Sequence, residues 1–179
     1  MIATDRLILR NWRPSDQEPW AALNADPEVM EHFPALLSAD EAAAMLAANQ
    51  ALITDRGWGL WAVERRADGV FLGFTGLMPL RESNPLAPGE EAAVDRADFE
   101  RHAWGAGYAS EAARGALAYG FDKLHLPEIV AFTATTNLRS QAVMDRIGMT
   151  RREDLDFDHP ALPKGHLLER HVVWSAEQP

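Results

Sequence analysis

The sequence contains no cysteine. A chain without thiols has no disulfide framework, no thiolate metal site and no cysteine nucleophile, and a reducing compartment imposes no penalty on it, so we expect a cytoplasmic protein. Long apolar runs are also missing, because nothing approaches the roughly 20 apolar residues that a bilayer-spanning helix needs. The N-terminal stretch MIATDRLILRNW carries charges and lacks the apolar core of a signal peptide. We therefore expect no membrane association.

Positive charge is scarce as well. The 17 Lys and Arg residues are outnumbered by 27 Asp and Glu residues, which gives a formal net charge of -10. Nucleic-acid binding draws its affinity from clustered cations that replace counterions, so this composition argues against a nucleic-acid partner. An acidic protein instead attracts a cationic small molecule or peptide.

Length and hydrophobic content limit the domain organisation. A chain of 179 residues with 47% hydrophobic content is expected to bury one sizeable core, in a single domain over residues 1–179.

Capping-box spacing at Ser15 and Glu18, and again at Ser38 and Glu41, predicts two N-terminal helices, the second running to about Leu52. Strands are predicted at 6–10, 58–64, 70–78, 93–99, 128–134 and 170–174, later helices at 110–124 and 138–147, and an exposed, proline-rich loop at 79–89 that closes over a ligand.

This order of elements predicts an α/β fold with right-handed crossovers onto a mixed sheet. Within it, the stretch HAWGAGYASEA at residues 102–112 places two glycines before a predicted helix. Glycines let the backbone approach another group closely, and the free N–H groups of a helix start favour an anion such as phosphate. The alternative interpretation is a simple turn into the helix, and an isolated G-x-G does not decide between the two.

The surrounding sequence is more informative. The stretch WGAGYASEAARGALAYGFDKLHLPEIVAFTATTNLRSQAVMDRIGM resembles the acetyl-CoA-binding half of the GNAT superfamily of N-acetyltransferases, and within it the branch that includes the ribosomal-protein N-terminal acetyltransferases. Residues 104–112 reproduce that branch's W-G-x-G-Y-A-x-E-A pattern, and its later N-x-x-S and terminal G-M pattern is met by Asn137, Ser140, Gly148 and Met149. The TDRLILRNW, WAVE and FLGFTGL stretches also look like this branch.

The resemblance implies the GNAT fold, a mixed central β-sheet with splayed central strands, here about 94–99 and 128–134, flanked by helices. It also implies acetyl-CoA as cosubstrate, with the pantetheine arm in the gap between those strands and the pyrophosphate on the glycine loop. The cofactor-binding residues expected on this basis are Trp104, Gly105, Ala106, Gly107, Tyr108, Ala109, Ser110 and Asn137. His102 departs from the superfamily's usual Gln or Arg, and Asn137 is equally an ordinary helix N-cap.

Acyl transfer to an amine requires a base for the ammonium proton and an acid for the leaving thiolate. Many family members supply the acid from a tyrosine at the position of Met144, so the resembling branch points to Ser140 instead. That branch commonly carries a strand carboxylate that aligns with Val94, one residue from Asp95. Because a one-residue slip reverses the strand face, Asp95 is the predicted base only if a bulge corrects its register.

The base thus has open alternatives, namely Asp98, Glu100 or a chain of water molecules. No metal is expected, because His159, His166 and His171 match no zinc spacing and the chain has no cysteine. With Trp12, Trp58, Trp61 and the loop at 79–89, this histidine-containing tail is expected to shape the acceptor pocket, although Trp58 and Trp61 are more often core residues than ligand contacts.

The function predicted from the resemblance is acetyl transfer from acetyl-CoA to a primary amine of a small molecule or a protein N-terminus. Two alternatives stay open: an antibiotic-amine acetyltransferase within the same class, and a non-catalytic acyl-CoA-binding or regulatory module. A homodimer is possible on the family pattern alone.

Overall fold

A computed structural model describes residues 1–80, 84–86 and 93–178, with the backbone alone for residues 93–98. Within these ranges the chain forms nine strands and four α-helices. The strands are β1 (Ile2–Ala3), β2 (Leu7–Arg10), β3 (Leu60–Arg65), β4 (Phe71–Pro79), β5 (Ala93–Phe99), β6 (Glu128–Ala134), β7 (Thr150–Arg151), β8 (Phe157–Asp158) and β9 (Arg170–Glu177). The helices are α1 (Gln17–Ala25), α2 (Ala39–Arg56), α3 (Tyr108–Asp122) and α4 (Leu138–Arg146).

The strands form one mixed sheet in the order β1-β2-β3-β4-β5-β6-β9-β7, with β8 also paired to β9. The central pair, β5 and β6, is parallel, while the other pairs within the described residues are antiparallel. Helix α3 connects this parallel pair, as the alternating order of elements predicts. The predicted α/β architecture is confirmed.

The two central strands separate soon after they meet. Their pairing joins Ala93 to Ile129 and Val94 to Val130, whereas β4 stays paired to β5 as far as Phe99 and β9 stays paired to β6 as far as Ala134. The sheet therefore opens into a wedge between the carboxyl-terminal parts of β5 and β6. This wedge confirms the splayed central strands of the predicted GNAT fold.

Helix α3 packs closely on the sheet beside this wedge. A Cβ at Gly120 would lie 2.6 Å from the Cδ1 atom of Ile129, so a larger residue here would require the Ile129 side chain to move. The largest fully buried side chains include those of Trp20, Trp61 and Phe74. Trp12 is buried too, and its indole donates to the carbonyl of Leu60. Trp12 and Trp61 are thus core residues, which corrects the expected place of Trp12 in an acceptor pocket and agrees with the core alternative for Trp61.

The N-terminal helices differ in how well their starts were predicted. Ser38 and Glu41 form the expected capping box of α2, which runs on to Arg56 and ends at a left-handed Gly57. At the first helix, the N–H of Arg13 donates to Asp16 instead, so the capping box predicted at Ser15 is wrong.

Most of the predicted loop at 79–89 lies outside the described residues. Across the described ranges, no helix combines the length and apolar character that crossing a membrane requires.

Candidate active site

A cavity of about 1230 Å³ opens at the wedge between β5 and β6. Phe99 and Ala131 line it from the two separated strands. The remaining walls come from the turn before β2, from the glycine loop with the first half of α3, from α4, and from the segment that joins α1 to α2. The wedge and the glycine loop therefore belong to one continuous space.

The glycine loop has the backbone conformation that its sequence predicts. Gly105 and Gly107 adopt φ values of 76° and 79°, in the left-handed region that favours glycine. Gly107 directly precedes α3, and the first turn of a helix leaves its N–H groups without intrahelical acceptors. Those N–H groups carry the positive end of the helix dipole into the cavity wall. The arrangement is suited to an anionic ligand such as a phosphate.

All but one of the predicted loop residues line the cavity: Trp104, Gly105, Gly107, Tyr108, Ala109 and Ser110 do so, and Ala106 does not. The carbonyl of Ala106 instead accepts a hydrogen bond of 3.0 Å from the Arg6 guanidinium. Ala106 is thus held by Arg6, a residue that itself lines the cavity.

Arg6 and Glu111 hold this loop in place, and both residues also line the cavity. Arg6 pairs with Glu111 at 2.6 Å and lies over the Tyr108 ring, with its Cζ atom 4.6 Å from the ring centroid. The hydroxyl of Thr4 also donates to Glu111, at 2.6 Å. Burial opposes ionisation of Glu111, but the hydrogen bonds from Thr4 and Arg6 outweigh it and lower its pKa. The sequence analysis missed this clamp, although Glu111 is the acidic residue in the first turn of α3.

The start of α4 forms the facing wall. The Oδ1 atom of Asn137 accepts from the N–H of Ser140 at 3.1 Å, so Asn137 caps the helix. Asn137, Ser140 and Met144 all line the cavity. Within the described residues, the Ser140 hydroxyl has no hydrogen-bond partner, and Met144 is buried. A hydroxyl and a buried thioether thus occupy the face where an acid is expected.

The three carboxylates considered as the general base belong to β5 and the residue after it. The backbone of Asp95 pairs with Leu77 and that of Asp98 with Phe74, while both carboxylates lie outside the described residues. Glu100 contacts the Nδ1 atom of His102 at 2.9 Å and is not part of the cavity wall. Burial raises the pKa of Glu100, and the charge of His102 opposes that shift.

The segment between α1 and α2 crosses the open end of the wedge. After β5, Arg101 pairs with Asp26 at 2.8 Å and with Glu28 at 3.0 Å. After β6, the hydroxyl of Thr136 lies 3.4 Å from Nδ1 of His32. Residues 26–32, here called the crossing segment, therefore connect the two separated strands, and Glu28, Val29, Glu31 and His32 line the cavity. The sequence analysis missed this segment, because no local signal marks contacts made with residues 101 and 136.

The histidines of the C-terminal tail lie elsewhere. His171 stacks on Phe157 with ring centroids 5.4 Å apart, and His159 lies 5.0 Å from His171. Burial is the main cause that lowers the pKa of His171. Among the described residues, no group of three His, Asp or Glu side chains is arranged to hold a metal ion.

Comparison with known proteins identifies the family. The sequence profile of the acetyltransferase (GNAT) domain matches residues 6–150, from β2 to β7. The chain belongs to the GNAT family of acetyltransferases. The match includes both the glycine loop and the crossing segment of this acetyltransferase.

Three similar proteins illustrate the relationship. Uncharacterized protein YkkB of Bacillus subtilis (strain 168) is 33% identical over 149 residues, covering 83% of this chain and 84% of its own length. FsC-acetyl coenzyme A-N(2)-transacetylase of Aspergillus fumigatus is 32% identical over 172 residues, covering 92% of this chain and 71% of its own. The solved structure of spermidine N-acetyltransferase from Vibrio cholerae, in complex with CoA and spermine, superposes with a TM-score of 0.74 at 20% identity over 98% of this chain and 97% of that one. This last likeness shows the fold.

Proposed function

We propose that this acetyltransferase moves an acetyl group from acetyl-CoA to a primary amine of a small molecule or a protein N-terminus, as a single domain over residues 1–179. One observation carries the proposal. The cavity joins the free N–H groups at the start of α3 to the wedge between β5 and β6. An anion-binding helix start and an open wedge between two strands in one space fit a ligand that carries a pyrophosphate on one side and a thioester on the other.

The donor end fits the diphosphate of CoA. Among the residues proposed for this role, Gly105, Gly107, Tyr108, Ala109 and Ser110 surround the cavity at the positive end of α3. In the wedge, the strand edges that face each other end their pairing at Val94 and Val130. Backbone groups beyond those residues need other partners, and the amides of a pantetheine arm are such partners.

Acetyl transfer needs an attacking amine and a proton donor for the leaving sulfur near the thioester. The amine nitrogen attacks the thioester carbonyl carbon, the C–S bond breaks, and the CoA sulfur leaves with the electron pair. We assign Ser140 as the proton donor to that sulfur, because its hydroxyl lines the cavity and has no competing partner within the described residues. Met144 has no proton to donate at the position where many family members carry a tyrosine.

The acceptor proposal rests on charge and relatives. The net charge of -10 attracts cationic amines, and the Vibrio cholerae structure combines this fold with CoA and spermine. The name of the Aspergillus fumigatus relative describes acetyl transfer from acetyl coenzyme A. The motif resemblance to the ribosomal-protein N-terminal acetyltransferases adds peptides with free N-termini to the acceptors that deserve testing.

The test is thiol release from acetyl-CoA in the presence of polyamines, aminoglycosides, amino acids and short peptides with free N-termini. We expect one acceptor class to release CoA with saturation kinetics and to yield an N-acetylated product by mass spectrometry. The second candidate, an acyl-CoA-binding module without catalysis, is favoured by Met144 in place of the tyrosine acid. Saturable acetyl-CoA binding with no thiol release from any amine would contradict the transferase and support this module.

A further inference from the structure

We propose that His32 is the general base that accepts the proton of the acceptor amine, and that Glu31 attracts the ammonium form of that amine to it. This inference rests on the proposed function and assigns a step that the strand carboxylates were expected to perform. The geometric basis is the crossing segment, which brings a histidine and a carboxylate to the open end of the wedge.

The position of His32 supports this role. Its side chain lines the same cavity as Ser140 and is 18% exposed, so it is accessible from the cavity and partly shielded from bulk water. Thr136, which lies within hydrogen-bonding range of His32, directly precedes Asn137, the cap of the helix that carries Ser140. The proposed base and the proposed acid therefore both lie beside the start of α4.

The ring orientation leaves one nitrogen for the acceptor. Nδ1 faces the Thr136 hydroxyl, and Nε2 lies 3.8 Å from the Oε2 atom of Glu31. We assign the neutral tautomer in which Nδ1–H donates to Thr136, because it leaves the lone pair of Nε2 free. An ammonium group between Nε2 and the Glu31 carboxylate gives its proton to Nε2 and becomes the nucleophile, and the resulting imidazolium is stabilised by Glu31.

The charge distribution singles out Glu31 on the crossing segment. Asp26 and Glu28 are both paired with Arg101. Within the described part of the chain, Glu31 has no Lys or Arg partner, and its only contact with a basic side chain is the 3.8 Å approach to Nε2 of the neutral His32. Its carboxylate is therefore available to a cation from solvent. A base next to an unpaired carboxylate fits an alkylamine, which is protonated at neutral pH and must lose a proton before it attacks.

The experiment compares His32→Gln with wild type on two acceptors: the best alkylamine of the panel, and a hydrazide that is already neutral at the assay pH. With the alkylamine, kcat should fall by about 10²-fold. With the hydrazide it should change little, because no proton has to be removed before attack. Acetyl-CoA affinity should match that of wild type. Exogenous imidazole should partly restore the alkylamine rate of His32→Ala.

Two further variants complete the design. Glu31→Gln should raise KM for the alkylamine without raising KM for the neutral hydrazide. His125→Gln changes an exposed histidine that does not line the cavity and should behave as wild type.

Equal losses of His32→Gln on both acceptors, or no loss on either, would overturn the base assignment while leaving the proposed function intact. Wild-type protein that binds acetyl-CoA but releases no thiol with any amine would overturn the proposed function, and the base assignment with it.

Discussion

The two ends of the cavity are built in opposite ways. The donor end is one short stretch of chain in which glycines and helix N–H groups offer main-chain contacts. The proposed acceptor end is the crossing segment, which offers side chains and is held by residues from distant parts of the sequence. Recognition by main-chain groups requires one contiguous sequence motif that sets the backbone conformation. Recognition by side chains can instead use residues that are far apart in the sequence. The proposed donor site can therefore be predicted from a contiguous motif in the sequence, whereas the proposed acceptor site cannot.

Surface ion pairs hold both the glycine loop and the crossing segment, which form the two ends of the cavity. The side chain of Arg6 is 48% exposed and that of Arg101 is 53% exposed, so solvent screens both ion pairs and each contributes little to stability. These contacts serve to position chain segments, because Arg6 holds the glycine loop and Arg101 holds the crossing segment. Variants at the two ends should therefore affect donor and acceptor separately.

The largest expected effect concerns chemistry at the middle of the cavity. Ser140→Ala should lower kcat by about 10²-fold, because the leaving thiolate loses its proton donor, while acetyl-CoA affinity changes little. Steady-state kinetics and calorimetric binding measure the two quantities. Ser15→Ala, at an exposed serine outside this cavity, serves as the control. A Ser140→Ala variant with normal turnover would remove this residue from the mechanism.

The donor end is tested by Gly107→Val. A valine at φ near 79° is strained, and its side chain crowds the loop where we place the pyrophosphate. We expect acetyl-CoA affinity to fall about tenfold, a loss of about 1.4 kcal/mol. The matched control is Gly165→Val, since Gly165 has φ of 81° and does not line the cavity. It carries the same backbone strain and should bind acetyl-CoA normally; equal affinity in both variants would contradict the donor site.

The clamp on the donor loop is tested by Glu111→Gln. The lowered pKa of Glu111 means that its carboxylate stabilises the folded state above its ordinary pKa near 4.5, and that this stability is lost as the pH falls through the folded-state value. We expect the variant to lose about 1 kcal/mol at pH 7, and to match wild type more closely toward about pH 3. Urea unfolding at both pH values measures this. A difference that does not shrink in acid would exclude the charge as its cause.

The smallest effect is expected from Arg101→Gln at the acceptor end. Loss of the contacts with Asp26 and Glu28 should loosen the crossing segment and raise KM for the acceptor by about threefold or less. Acetyl-CoA affinity should stay unchanged. A double-mutant cycle with Asp26→Asn isolates the pair. If donor affinity fell instead, the separation between the two ends would be wrong.

The splayed strands and the capping box of α2 could be predicted because their signals are local or belong to a family motif. The placement of Trp12 in an acceptor pocket was predicted wrongly, and that of Trp61 was left open between pocket and core, because an aromatic residue suits either until its neighbours are known. The proposed roles of Ser140, Asn137 and the loop residues stay predictions, and so does that of Asp95.

The sequence by itself determined the family, the conformation of the glycine loop and the start of α2, because glycine φ preferences and helix caps act within a few residues. Only the tertiary structure decided which side chains meet around the cavity. Arg6 and Glu111 are 105 positions apart, and His32 and Thr136 are 104 apart. Such contacts arise when the sheet brings distant segments to one edge, and no local pattern encodes the distance between them.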